Sequence, residues 1–405
     1  MSIPGQTMGV GVFTEFLING TGLSRLQLSF TYMIGTILSS IIVTFSGRIV
    51  DRFGTRLIMV VASIGLGSAM LLLSSTISII HLVSKHLPGL SLSFISIGVL
   101  IFIFLWLRYF GQGIMTMVSR ISISKWFEAR RGFATGISGV VVSFSFSGSP
   151  LLVNLMIDRQ GWTQTAVYLA LVCGFGMALI GWLFYRDNPE ECGLEMDGKR
   201  QVKETSDSAS HDRSSTLKEA MKSYNFWVFN LGLCSYSLII TGITFHISSI
   251  GQLEGLTRME SFSIFLPMSV FSLITHFLSG WISDRISLKY LLMIMMAATG
   301  IGLLGFLNFG MLWARIAIMV NLGIMGGLFG CLSVVAWPRF FGRKHLGAIS
   351  GLNMGFMVFA SAIGPPIFGV AEDLSGSYQP SFLICIVISI VLFIASLKAT
   401  SHIKK

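Results

Sequence analysis

Apolar residues in this chain come in long unbroken runs, not in an alternating or one-faced pattern. The runs cover residues 3–18, 25–47, 57–83, 93–124, 132–156, 163–186, 225–250, 259–282, 289–308, 311–336, 346–370 and 380–398. Most match or exceed the roughly 20 apolar residues that a helix needs to cross a bilayer's hydrocarbon. Each is apolar nearly all round, with Gly, Ser and Ala interspersed, which lets helices approach closely in lipid. The pattern predicts an all-α, polytopic membrane protein of twelve helices. The first run is too short for a full span and holds Glu15. We expect it to be the outer part of a first helix truncated at its N-terminus, for want of an upstream stretch. Gly148 to Pro150 in the fifth run and Gly364 to Pro366 in the eleventh predict kinks.

One polar stretch interrupts the series. Arg186 to Lys222 carries sixteen charged residues, and its centre, Lys203 to Ser215, is rich in Ser and Asp and reads as mobile. It divides the chain into residues 1–186, a six-helix bundle with a partial first helix; residues 187–222, a cytoplasmic linker loop; and residues 223–405, a second six-helix bundle.

Composition sharpens the reading. Of 405 residues, 53% are hydrophobic and 11% charged, with a mean hydropathy of +0.77; an average soluble chain is about 25% charged. A soluble enzyme, a disordered chain and a secreted disulfide scaffold are excluded. The net charge of +10 would suit a nucleic-acid partner, but its distribution says otherwise. With a cytoplasmic N-terminus and alternating spans, twenty-one of the 28 basic residues fall in inner loops and four (Arg25, Lys85, Arg159, Arg258) in outer ones. Bases collect on the cytoplasmic side of membrane proteins. We therefore expect a multi-pass protein of the inner (plasma) membrane with a cytoplasmic C-terminus, whose basic charge meets the lipid bilayer and not nucleic acid. The five cysteines form no CxxC pair and read as small buried apolar residues. There is no GxxxxGK[ST] phosphate loop and no metal-ligand cluster among the seven histidines. No enzyme activity, cofactor or metal is expected.

The halves repeat each other. Gly47, Asp51, Arg52, Gly54 and Arg56 follow the second run; Gly280, Asp284, Arg285, Ser287 and Lys289 follow the eighth. Both read G-x-x-x-D-R-x-[GS]-x-[RK]. A second pair links Trp126, Arg131, Gly136 and Gly139 with Trp337, Arg343, Ala348 and Gly351. Six spans per half make the copies run the same way through the membrane, as parallel repeats. Asp51 stands at the inner edge, where a carboxylate can cap a neighbouring helix N-terminus, and Arg52 and Arg56 face the anionic leaflet.

The doubled motif resembles the loop 2–3 signature of the major facilitator superfamily, and the plan resembles its 6+6 architecture. Pro4 to Thr7, Gly22 to Ser29, Arg108 to Gly113, Asp187 to Leu194 and Phe245–His246 are similar to bacterial members of the oxalate–formate antiporter and monocarboxylate transporter branch. The resemblance implies two six-helix bundles related by a pseudo-two-fold axis. It implies a conformational latch at Gly47, Asp51, Arg52, Gly54, Arg56, Gly280, Asp284 and Arg285.

A charge within the bilayer is costly and marks function. Arg108 lies near the middle of span four, and Gln112 follows at i+4 on the same face. Tyr32, Tyr236, His246 and Asn353 are further candidates to line a cavity; for each, an interhelical hydrogen bond is the competing role. His276 reads as packing, while Arg120 and Arg315 read as snorkelling to the interfaces. Apart from Glu15, no acid lies in the core of a span. That inventory favours a secondary active transporter of a small organic anion, monocarboxylate-like, working by alternating access as a monomer, with a proton as candidate co-substrate and His246 as its candidate carrier. The oxalate carriers of the branch pair cations in spans eight and eleven, which this chain lacks. Alternatives are a drug or sugar transporter on the same fold and a non-transporting membrane sensor or scaffold.

Overall fold

The computed structural model describes residues 2–198 and 214–399. The centre of the polar stretch, read above as mobile, lies outside them except for Ser214 and Ser215, as does the side chain of Glu15. After a 3-10 turn at Ile3–Gly5 come α1 (Thr7–Thr21), α2 (Arg25–Phe53), α3 (Thr55–Ser74), α4 (Thr76–His86), α5 (Leu92–Trp126), α6 (Arg131–Gln160) and α7 (Trp162–Phe184). A short α8 (Leu217–Lys222) leads into α9 (Tyr224–Leu253), α10 (Arg258–Ser263), α11 (Phe265–Ser283), α12 (Leu288–Phe306), α13 (Leu312–Phe341), α14 (Leu346–Ser375) and α15 (Gln379–Leu397). Among the described residues there is no β-strand, and ten helices are long and apolar enough to cross a membrane.

Packing is inverted relative to a soluble protein. In α15, Ser381, Cys385, Ser389 and Ser396 point inward while Leu383, Ile384, Val387, Val391 and Ile394 are exposed. Lipid solvates the large side chains, so the interior is free to be small and close-packed. Buried hydroxyls do not need distant partners: Ser389 donates to the Cys385 carbonyl at 2.8 Å and Thr299 to Met295 at 2.7 Å, one turn back.

The two proline-bearing stretches expected to kink lie inside continuous helices, α6 and α14. Departures from α geometry occur elsewhere. The third apolar run breaks at Ser75 into α3 and α4. Two segments without proline, Arg108–Met115 in α5 and Ala170–Gly176 in α7, wind as π-helix. Such wide turns cluster at functional positions, and here glycines make room for them: a Cβ on Gly111 would sit 2.6 Å from the Gly5 Cα.

The chain forms two compact units. One comprises Met1–Ser119, Ser145–Asp187 and Ser350–Phe359; the other Arg120–Phe144, Asn188–Ile349 and Ala360–Lys405. Each therefore contains a helical segment from the opposite half of the sequence. In the first unit the segment of α14 lies on α2, where a Cβ on Gly351 would come within 2.8 Å of the Gly47 Cα. In the second, the start of α6 crosses α11 so closely that a Cβ on Gly132 would overlap the Gly280 carbonyl.

Candidate functional site

In the first unit the π-turn of α5 directs Arg108 at the start of α1. Its guanidinium donates to the Gly5 carbonyl (3.3 Å) and Thr7 Oγ1 (3.2 Å) and lies 5.3 Å from the centre of the Tyr32 ring. Tyr32 in turn donates to Thr7 at 3.1 Å, and Gln6 to Thr116 at 3.1 Å. Arg108 is 1% exposed. The structure thus brings Arg108 and Tyr32 together and adds Thr7, whose stretch had figured only in the family resemblance. Gln112 follows in the π-turn, and its Oε1 is buried with no hydrogen-bond partner among the described residues.

The second unit holds the other cation of α5. The expectation that Arg120 snorkels to the inner face is not met: its guanidinium lies over the Phe329 ring of α13, 5.5 Å from the centre. The physical reason is directional. A Cα–Cβ bond tilts toward its helix's N-terminus, and in the expected topology that end of α5 is the outer one. Arg120 therefore sets off toward the membrane interior. Phe329 stacks on Tyr236 of α9 at 3.9 Å and 15°. His276 of α11 lies within electrostatic reach of Arg120. Its ring fills the gaps left by Gly139 of α6 and Gly330 of α13, where a Cβ would overlap it. Arg315, by contrast, stands at the N-terminal end of α13 beside exposed Trp313 and acts on Glu260, as an interfacial residue should.

His246 and Asn353 join neither cluster. Both His246 nitrogens are engaged, Nε2 with the Pro365 carbonyl (2.9 Å) and Nδ1 with the Tyr378 hydroxyl (3.1 Å). This is the interhelical hydrogen bonding weighed above. Asn353 is buried in the segment of α14 that packs on α2, beside the contacts of Gly351 with Gly47 and of Gly355 with Thr44.

The two copies of the repeated motif differ in their partners. Gly54 ends α2 at φ 83°, a backbone that favours glycine. The cap of the following helix is Asp187, whose Oδ1 accepts from Thr55 Oγ1 (2.9 Å) and the Arg56 amide (2.7 Å). Arg56 donates to the Trp182 carbonyl and lies over the Trp182 ring, while Arg52 is exposed. In the second copy Asp284 itself caps: it accepts from the Gly132 amide (3.2 Å) at the start of α6 and pairs with Arg339 (3.6 Å). Burial pushes its carboxyl above the ordinary carboxylate range, an effect the amides and Arg339 only partly offset. Arg339 also donates to the Ser283 carbonyl, Arg343 to that of Lys125, and Arg285 lies on the Trp281 ring. Asp187 and Arg339 had no local spacing to announce them, since both reach across the fold.

The sequence model of the Major Facilitator Superfamily matches residues 2–365 and, overlapping, 268–404. The chain belongs to that superfamily. A probable sulfoacetate transporter, SauU, of Cupriavidus necator is 23% identical over 394 residues, covering 93% of this chain and 86% of the relative. Human monocarboxylate transporter 12 is 24% identical over 295 residues, covering 65% of this chain and 55% of the relative; the chain thus spans about half of that protein. The solved proton:xylose symporter XylE superposes with a TM-score of 0.71 at 15% identity, covering 98% of this chain and 92% of XylE. Family and fold are those of membrane transporters, and the ten long apolar helices among the described residues make this a multi-pass membrane protein.

Proposed function

We propose that the chain is a secondary active transporter of a small organic anion, monocarboxylate-like, moved by alternating access across the inner (plasma) membrane. One observation carries the reading. Among the residues whose side chains are described, no Asp or Glu lies in the central part of a membrane helix, whereas Arg108 stands at the middle of α5 and Arg120 further along the same helix. A cationic interior attracts anions and repels cations. The named cargoes of the sulfoacetate and monocarboxylate relatives, both organic anions, support it. The latch reading is retained for Gly47 and Gly280, which sit at close helix crossings, and for Asp284, which ties the end of α11 to α6. Arg108 acts here as a positioning residue that fixes the start of α1 and, through Thr7, Tyr32.

The test is a thermal-shift screen of purified protein against small carboxylates, neutral sugars and organic cations, since a ligand of the folded state raises its apparent stability. A carboxylate that raises the melting temperature in a saturable way supports the proposal. A shift with sugars or cations and none with carboxylates overturns it.

A further inference from the structure

We propose that the anion is held at Arg120, in the second unit, and that a proton travels with it on His276. The inference rests on the transporter reading and names its site.

A guanidinium carries five N–H donors. In Arg108 the Nη1 group donates to Gly5 and Thr7 at the start of α1, and 1% of the residue is exposed. Arg120 differs in both respects. It remains partly accessible, and among the described residues no oxygen accepts a hydrogen bond from it. An aromatic face holds the flat of a guanidinium and leaves its edge free for a carboxylate fork. Two further donors stand nearby. The Tyr236 hydroxyl and Ser272 Oγ lie 3.7 and 3.0 Å from where a Cβ on Gly326 would be, so the missing side chain keeps a gap open between them. Neither makes a hydrogen bond among the described residues. A phenol and a serine hydroxyl flank a glycine gap, and Arg120, which lies over the ring stacked on that phenol, adds a charged donor; the set suits one planar carboxylate, in which charge-assisted bonds add strength and orientation.

His276 supplies the coupling. Its Nε2 is buried and has no hydrogen-bond partner among the described residues. Arg120 of α5 is the charged group acting on it, while α6 and α13 meet the ring with Gly139 and Gly330. A proton on His276 and the Arg120 guanidinium repel each other. A carboxylate on Arg120 cancels that repulsion, so anion and proton favour each other's binding reciprocally. The step is a simple protonation: a proton from the outer solution bonds to Nε2, the loaded protein turns over, and the proton leaves to water on the inner side with the anion. One anion and one proton move, without net charge. His246 is unsuited, because both its nitrogens are engaged.

The full chain is reconstituted in vesicles and assayed with labelled acetate, lactate and pyruvate in two modes: uptake driven by an inward proton gradient, and exchange at equal concentrations without a gradient. We expect Arg120→Gln to raise KM at least about tenfold or abolish both modes, the loss of one charge-assisted bond being worth that much. Arg120→Lys should fall between, and Arg315→Gln should match wild type. His276→Asn should retain exchange and lose both gradient-driven uptake and acidification of the lumen, read with a trapped pH dye. An unchanged KM in Arg120→Gln, or in Arg120→Lys should the former not fold, overturns the anion site. Wild-type gradient-driven uptake in His276→Asn, or in His276→Gln if that variant alone folds, overturns the proton site. A wild-type protein that moves none of the three carboxylates overturns the transporter reading itself.

Discussion

Asp187 shows how a single carboxylate stabilises a membrane-edge turn. It satisfies the Arg56 amide in the first turn of α3 and the Thr55 hydroxyl, and replacing such a cap by alanine costs about 1 kcal/mol. Asp187→Ala should lower the melting temperature of the purified protein, with Asp187→Asn recovering most of the loss; equal losses would show that the cap is not the cause. Asp284 should behave differently. A carboxyl raised in the folded state holds its proton more tightly there, so its contribution is present at low pH and is lost as pH climbs through the raised value, upward from 3.8. Asp284→Asn should therefore flatten the dependence of melting temperature on pH above that point; an unchanged profile would contradict the assignment. The partly exposed Arg339 pair adds no more than about 1 kcal/mol. The sequence made the motif residues themselves legible, because their spacing repeats. Their partners were not, because Asp187 and Arg339 meet them only through tertiary folding. Arg108 and Arg120 looked unequal in sequence for a sound reason, depth in the bilayer, whereas the anion site is proposed at Arg120 because that side chain remains partly accessible.

Among the helices, the apolar runs anticipated the membrane segments closely, since a bilayer imposes length and hydrophobicity directly. What escaped was backbone winding. The π-turns of α5 and α7 carry no proline, and in each a glycine meets a glycine of a neighbouring segment: Gly111 against Gly5, Gly174 against Gly67. Prolines 365 and 366, by contrast, sit in a continuous α14. Crossing points should be the sensitive places. Gly280→Val would force α6 from α11 at the Gly132 contact and cost about 1–3 kcal/mol. Gly300→Val, where a Cβ meets nothing within 4 Å, should cost much less. Comparable melting temperatures for the two variants would contradict the packing described for the second unit.

At the scale of the whole molecule, the doubled motif and the charge asymmetry of the loops were enough to expect the superfamily fold, because they follow from symmetry and from membrane topology and not from any one contact. The grouping of the chain into compact units was not legible: residues 120–144 and 350–359 each pack with the opposite half, held by glycines that look in sequence like ordinary small-residue spacing. The proposed function depends on charge in the interior. If the cationic interior selects cargo, a carboxylate and its uncharged amide, nearly identical in shape, must be treated differently. The most direct measurement is uptake of labelled lactate and labelled lactamide by vesicles containing the wild-type chain, side by side. The account predicts saturable transport of lactate, accelerated by an inward proton gradient, and none of lactamide; equal transport of both, or of neither, would contradict it.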